Sequence, residues 1–292
     1  MLNPAVTPFF HAPTGSWSYV VADAAAGVAA IIDPVLDFDI RSGRTGTRSA
    51  GHIVEHCRSS GLQVDWILET HAHADHLSAA AWLQAELGGR IGIGEGICSV
   101  QATFARVYGL GADFATDGSQ FDCLFRDGDR FGIGGLEGQV LATPGHTSDS
   151  VSYRVGDAVF IGDTLFMPDV GSARCDFPGG DAALLYRSVQ RLYALPAQTR
   201  VFVCHDYPPN GREARAETSL AEQRSTNLHL RDGTGEGEYV ARRTARDASL
   251  DLPQLLIPAV QVNIRAGRLP PPEANGVHYL KLPLNLLGRP LS

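Results

Sequence analysis

Short apolar runs alternate along this chain with stretches of helical periodicity. The apolar runs are rich in β-branched residues and are bounded by turn-forming residues, so they predict short strands. These strands are expected at Trp17–Ala22, Val28–Ile32, Val64–Glu69, Gly88–Gly96, Val140–Thr143, Ser150–Val155, Ala158–Gly162 and Arg200–Cys204. Apolar positions three and four residues apart predict helices at Arg48–Ser60, Leu77–Leu87, Asp181–Ala194, Arg212–Asn227 and Glu236–Ala248. This alternation is typical of an α/β or α+β sandwich.

Two segments carry weaker patterns. Ile97–Gln120 has no clear periodicity, is assigned no element and is expected to be an insertion near the site. The chain beyond Leu252 is rich in proline, which predicts extended structure. This tail holds too many apolar residues to be a free linker, so we expect it to pack against the body of the protein.

Charge and cysteine content disfavour several classes of protein. The 292 residues carry a formal net charge of -8, which argues against the basic surface that nucleic-acid binding requires. The chain has no run of about 18 apolar residues and no signal-peptide pattern, so neither membrane spanning nor secretion is expected. Its five cysteines form no CxxC pair, which disfavours a disulfide framework or a thiolate zinc site and indicates the reducing cytoplasm.

Four polar motifs lie at or directly after the ends of predicted strands. They are His71-Ala72-His73-Ala74-Asp75-His76, Gly145-His146-Thr147, Gly162-Asp163-Thr164 and His205-Asp206. Strand ends can converge in space, and imidazole and carboxylate are ligands that suit zinc, iron and manganese. Residues two apart in an extended segment point to the same side, so His71 and His73 can approach one ion together. The motifs therefore predict a site for one or two metal ions.

The HxHxDH motif followed by GHT and then GDTLF resembles the metallo-β-lactamase superfamily. The resemblance covers about residues 15 to 230. It implies an αββα sandwich, an α/β (α+β) fold with two mixed β-sheets flanked by helices. It also implies a catalytic domain over residues 1–230, with residues 231–292 forming a C-terminal helix and an extended tail packed on the same domain.

Within this superfamily the chain is most similar to the persulfide dioxygenases, also called sulfur dioxygenases or ethylmalonic-encephalopathy-type proteins. The similar stretches are ETHAHADHLSAA, TPGHTSDSVSY, FIGDTLFMPDVGSARCDF and CHDYPP. The resemblance implies a cytoplasmic, non-haem iron enzyme with one Fe(II) per chain. It would oxidise glutathione persulfide with O2 to sulfite and glutathione. A homodimer is compatible with the same resemblance.

The resemblance also assigns roles to residues of the motifs. His71, His146 and Asp163 correspond to the Fe(II) ligands, and a set of two histidines and one carboxylate leaves coordination positions open. Other polar residues of the motifs are expected to surround these ligands, orient them and hold water. They are His73, Asp75, His76, His205 and Asp206.

Substrate contacts are expected from Arg174, Tyr207 and Thr147. The planar guanidinium of Arg174 suits a carboxylate of glutathione. Pairing of Arg174 with Asp176 at the surface is the competing interpretation of the same residue, since surface ion pairs are common. Thr147 is expected either to steady the loop that carries His146 or to touch the substrate.

The alternative function is a dinuclear zinc hydrolase of glutathione thioesters, resembling glyoxalase II. Such an enzyme has nearly the same first motif and holds two ions about 3.5 to 4 Å apart. It would recruit His73, Asp75, His76 and His205 as further ligands, and all four are present. The stretch GSARCDF and the sequence HDY, where glyoxalase II usually has HEY, favour the dioxygenase. The tail also lacks the long helical domain that usually completes glyoxalase II.

Overall fold

Strands dominate the first two thirds of the chain and helices the last third. The structure is a computed structural model, and it describes residues 3–288. Its strands are β1 (Ala5–His11), β2 (Ser16–Asp23), β3 (Val28–Ile32), β4 (Val35–Asp39), β5 (Arg44–Gly46), β6 (Gln63–Leu68), β7 (Leu77–Ser78), β8 (Arg90–Gly94), β9 (Cys123–Phe125), β10 (Arg130–Ile133), β11 (Leu136–Ala142), β12 (Val151–Val155), β13 (Ala158–Phe160), β14 (Arg200–Phe202) and β15 (Glu217–Ser219). Its α-helices are α1 (Arg48–Ser59), α2 (Ala80–Leu87), α3 (Ile97–Val107), α4 (Ala182–Tyr193), α5 (Leu220–Thr226), α6 (Glu236–Asp247) and α7 (Leu256–Asn263).

The strands form two mixed six-stranded sheets and one small sheet. The first sheet has the order β1-β2-β3-β6-β8-β9, with parallel pairing from β3 onwards. The second has the order β10-β11-β12-β13-β14-β15, and only its β13–β14 pair is parallel. The small sheet has the order β5-β4-β7.

Three apolar clusters fill the spaces between the layers. Tyr19 and Val21 of β2 pack against Tyr153 and Phe160 of the second sheet, so this cluster lies between the two sheets. Val20, which points to the opposite face of β2, belongs to a cluster with α1, α2, α3 and α7. The third cluster joins the outer face of the second sheet to α4 and α6. The predicted sandwich of two mixed sheets flanked by helices is therefore confirmed.

Several predicted elements differ from the observed ones. Ile97–Gln120 contains α3, whose buried positions Ile97, Val100, Gln101 and Phe104 have helical spacing that the sequence interpretation missed. The prediction of extended structure throughout the tail is wrong, because Leu256–Asn263 forms α7. Seven of its eight residues are buried, including the polar Gln261 and Asn263, so it shows no amphipathic period, and its proline lies in the first turn, where proline is tolerated.

Two predicted helices begin later than expected. Leu77–Ser78 pairs with β4 as strand β7, so the helix starts only at Ala80. Glu217–Ser219 pairs with β14 as an edge strand, and the side chain of Ser219 then caps α5. β1, which pairs with β2 along its whole length, was not predicted. No helix in the described part of the chain has the length and apolar character needed to cross a bilayer.

Candidate metal centre

Parallel strand pairs bring the polar motifs to one edge of the sandwich. Phe160 of β13 and Phe202 of β14 are partners in register, and Asp163 and His205 each follow three residues later. The ends of β3 and β6 meet in the same way, since Ile32 pairs with Leu68. The carboxyl ends of neighbouring parallel strands lie at the same edge of a sheet, so the loops that follow them are adjacent. Side chains far apart in sequence converge there.

The first set of donor atoms comes from His71, His146 and Asp163. One ligand atom from each of these buried residues lies within 4.8 Å of the other two. His146 Nε2 is 3.5 Å from an oxygen of Asp163, and the rings of His71 and His146 are 5.1 Å apart between centroids. The three residues that the resemblance groups together therefore do come together in space.

Hydrogen bonds fix the tautomers of both histidines in this set. His146 Nδ1 donates to the carbonyl oxygen of Arg174 at 2.7 Å. The hydroxyl of Thr70 donates to Asp33 at 2.9 Å, so it accepts at 3.0 Å from His71 Nδ1. Each ring therefore carries its proton on Nδ1 and offers the lone pair of Nε2. Burial and neighbouring imidazoles hold the pKa of His71 well below its usual value, which keeps this ring in the neutral, ligating form.

A second set of donor atoms lies beside the first. It consists of His73, Asp75, His76 and His205, whose ligand atoms again lie within 4.8 Å of one another. His205 Nε2 is 3.2 Å from Asp75 and 3.4 Å from Asp163, so Asp163 lies between the two sets. The pKa of Asp75 is lowered because His205 and His76 outweigh the effect of burial. The residues fit one ion in the first set and a second ion in the adjacent set.

Buried polar atoms without partners support a metal at this position. Within the described residues no hydrogen-bond partner is found for the Nε2 atoms of His71, His76 and His205, for His73 Nδ1 or for Asp163 Oδ1. Leaving a buried polar group unpaired costs about 1–3 kcal/mol. Five such atoms on imidazoles and a carboxylate at one place match the donor chemistry of a transition-metal site.

Two acidic residues that the sequence interpretation missed support His73. His73 Nε2 lies 3.0 Å from Asp33 and 3.4 Å from Glu69, and all three residues are buried. Asp33 also accepts from the backbone amide of Thr70 at 2.7 Å. This hydrogen bond anchors the start of the histidine-rich loop, residues 70–76. The available signal was position: Asp33 follows one predicted strand and Glu69 ends another.

Asp206 and Thr147 make contacts away from the donor atoms. The carboxylate of Asp206 accepts from Arg212 at 2.6 and 2.8 Å and from the amide of Arg215 at 2.7 Å. It therefore orders the loop that follows β14. The hydroxyl of Thr147 forms a 2.6 Å hydrogen bond with that of Ser150, inside the loop that carries His146.

A cavity of about 310 Å³ opens beside the first set of donors. His146 and Asp163 line it together with the apolar side chains of Phe166 and Phe177. Tyr207 also borders it, and the ring of Tyr207 stacks on that of His205 with centroids 5.7 Å apart. The cavity thus joins the metal-binding atoms to an aromatic and partly charged wall.

Three arginines border this cavity, and they differ in their partners. Arg174 donates to both carboxylate oxygens of Asp176, at 2.6 and 2.7 Å, and to the carbonyl of Asp251 at 2.6 Å. The pairing with Asp176 that the sequence left open is therefore formed. Arg243 is paired with Asp247 inside the protein. Arg246 is exposed, and among residues 3–288 no carboxylate forms an ion pair with it. The sequence interpretation missed this residue.

Helix α6 holds the loop that forms this wall of the cavity. Asp247 accepts from the amide of Cys175 at 2.8 Å, and Arg243 donates to the carbonyl of Ser172 at 3.0 Å. Between these two anchors lies Arg174, whose carbonyl orients His146. The C-terminal part of the chain is therefore connected to the candidate ligand His146 through two hydrogen bonds and one peptide unit.

The model of the metallo-beta-lactamase superfamily matches residues 12–205, which include the first three polar motifs and His205 of the fourth. The chain belongs to this superfamily. A probable metallo-hydrolase of Burkholderia pseudomallei is 49% identical over 97% of this chain and 99% of its own length. The protein named Glyoxylase B2 of Dictyostelium discoideum is 48% identical over 97% of both chains.

More distant members of the superfamily carry the name that the sequence suggested. The mitochondrial persulfide dioxygenase ETHE1 of Bos taurus is 28% identical over 90% of this chain and 89% of its own. The crystal structure of ETHE1 from Myxococcus xanthus superposes with a TM-score of 0.72 and 30% identity, covering 90% of this chain and all of that one. These two matches confirm that the chain is related to the persulfide dioxygenases.

Proposed function

We propose that this protein is a glutathione-dependent persulfide dioxygenase with one Fe(II) per chain. The observation that carries the proposal is the first set of donors, in which the imidazoles of His71 and His146 and the carboxylate of Asp163 lie together, with His146 and Asp163 lining the cavity. Two histidines and one carboxylate are typical of non-haem iron oxygenases, because this set leaves coordination positions open. The likeness to the two ETHE1 proteins supports the same activity.

The reaction consumes one O2 and one water for each glutathione persulfide and yields glutathione and sulfite. Bound iron supplies the one-electron chemistry with O2 that amino-acid side chains lack. In this proposal His71, His146 and Asp163 would hold the iron, while the Thr70 hydroxyl, which donates to Asp33, and the Arg174 carbonyl fix the ligand tautomers. Phe166 and Phe177 restrict water around the bound persulfide, which protects it from side reactions.

Measurement of O2 uptake and metal content tests the proposal directly. Protein purified without air or added metal should contain about one iron per chain. With glutathione persulfide it should consume O2 and release sulfite in equal amounts. Lactoylglutathione, a glutathione thioester, serves as the control substrate and should remain intact. A protein that consumes no O2 and cleaves the thioester contradicts the proposal.

The alternative function is a glyoxalase II-like dinuclear zinc hydrolase of glutathione thioesters. The second set of donors, with Asp163 between the two sets, favours it, because a bridging carboxylate and further histidines can hold two ions. The name of the Dictyostelium discoideum relative points the same way. About two zinc ions per chain, together with thioester cleavage, would establish this function in place of the first.

Glutathione carries two carboxylates, and we assign one of them to Arg246. Arg246 borders the cavity without a carboxylate partner among the described residues, whereas Arg174 already binds Asp176.

Arg174 and Tyr207 remain proposed contacts on the same wall, and Thr147 is proposed to steady the loop of His146. A cytoplasmic location is proposed from the five free cysteines, and a homodimer stays a prediction.

Replacing Arg246 with alanine should raise the KM for glutathione persulfide about tenfold. A charge-assisted hydrogen bond contributes about 1.5–3 kcal/mol, and the exposure of Arg246 places its effect at the lower end. Arg242→Ala is the matched control, because Arg242 lies one turn earlier on α6, is exposed and pairs with Glu238. Steady-state kinetics with both variants checks this. An unchanged KM for Arg246→Ala, or an equal rise in both variants, removes Arg246 from the substrate site.

A further inference from the structure

A buried asparagine at the end of α7 contacts the backbone of the histidine-rich loop. Asn263 Nδ2 donates to the carbonyl oxygens of His73 and His76, both at 2.8 Å. Its Oδ1 accepts from the amide of Ser78 at 2.8 Å. One side chain thus satisfies three backbone groups of a loop that belongs to neither a helix nor a long strand.

The chemistry of these contacts requires an amide. The two carbonyls need donors and the Ser78 amide needs an acceptor, and a carboxamide provides both on one planar group. An aspartate of the same shape keeps the acceptor but places a second oxygen against two carbonyl oxygens. An apolar side chain would leave all three buried backbone groups of the loop unpaired, at about 1–3 kcal/mol each.

The position of Asn263 is itself fixed by the packing of α7. Leu256 and Val260 of the helix are buried in the cluster beneath the first sheet. The carbonyl of Ile264, the next residue, accepts from the buried side chain of Gln101 at 2.9 Å. Gly267 follows with φ +80°, and a Cβ at this glycine would lie 2.8 Å from the carbonyl oxygen of Ser78. The chain after α7 therefore packs directly against the end of the histidine-rich loop.

We propose that Asn263 is a positioning residue for the metal centre. It fixes the peptide units of His73 and His76, and so directs both rings towards Asp75 and His205. The donor atoms of the second set are thereby held ready before an ion binds. This role goes beyond the proposed dioxygenase activity, which places its single iron in the first set, because it concerns the geometry of the second set as a site for an added ion.

The test measures Co²⁺ binding by Asn263→Asp, without reference to catalysis. Co²⁺ is added beyond one ion per chain so that it also fills the second set. We expect the Kd of this second Co²⁺ in a chelator competition to rise about 10- to 100-fold, a typical loss of metal affinity when a partner of a metal ligand is removed. The visible absorption bands of bound Co²⁺ should also shift, because they report the arrangement of the ligands. Neither the Kd nor the spectrum of Co²⁺ depends on enzymatic activity, so the inference can fail or stand separately from the proposed function.

Gln261→Glu is the matched control on the same helix. The buried side chain of Gln261 has the same pattern of contacts, away from the metal centre. It donates to the carbonyl oxygens of Ile257 and Lys281 and accepts from the amide of Lys281. The substitution should lower thermal stability but leave the Kd and spectrum of Co²⁺ unchanged. If Asn263→Asp fails to fold, Asn263→Ser removes the amide without adding charge. Wild-type Co²⁺ binding in the folded Asn263 variant, or equal weakening by Gln261→Glu, overturns the inference.

Discussion

Alanine at His146 should abolish metal retention and activity together. A site of three protein ligands has no spare donor, so loss of one ligand should weaken metal binding by more than about 100-fold, exceeding the effect of losing an outer partner. The substitution also removes the donor to the carbonyl of Arg174, which loosens the wall of the cavity. Elemental analysis of the purified variant and O2 uptake with glutathione persulfide measure the two effects.

His52→Ala is the control for this substitution. His52 is an exposed residue of α1 outside both sets of donors, so its loss should change neither metal content nor turnover. A His146→Ala protein that keeps full metal occupancy would show that another combination of donors holds the ion. The second set is then the first place to look, and a His205→Ala variant would identify it.

Loss of Asp247 should be the most destabilising change outside the metal centre. Asp247 and Arg243 form a buried ion pair on α6, and removal of one member leaves the other charge buried and unpaired. Such a change costs about 3–5 kcal/mol of the free energy of unfolding. Asp247→Ala also frees the amide of Cys175, so the loop that orients His146 loses an anchor. We therefore expect weaker metal retention in addition to lower stability.

A second ion pair on the same helix provides the comparison. Glu238 and Arg242 have the same spacing of four residues, but both are exposed. Exposed pairs of this kind contribute about 0.3–0.5 kcal/mol, so Glu238→Ala should hardly change the denaturation midpoint. Urea unfolding of both variants, with the metal content of the folded protein, checks the prediction. Similar midpoints for Asp247→Ala and Glu238→Ala would mean that the buried pair does not stabilise the fold.

Local sequence patterns were sufficient to predict the elements at the centre of the sandwich. The hairpin of β2 and β3, and the helix capped by Asp181, lie where apolar spacing and cap chemistry predicted them. Segments whose structure depends on a distant partner were the ones misjudged. β15 exists because it pairs with β14, and α7 lacks an amphipathic period because it is buried on nearly all sides by the first sheet and its helices.

The sequence by itself was sufficient to select the candidate donors. His71, His146 and Asp163 stand at strand ends in an order typical of the superfamily, and strand ends are recognisable from local composition. Tertiary structure alone decided what surrounds them. Asp33 reaches His73 through the pairing of β3 with β6, and Asn263 lies 187 positions after His76, its hydrogen-bond partner. Contacts over such separations follow from the packing of whole layers, and a single sequence carries no local signal for them.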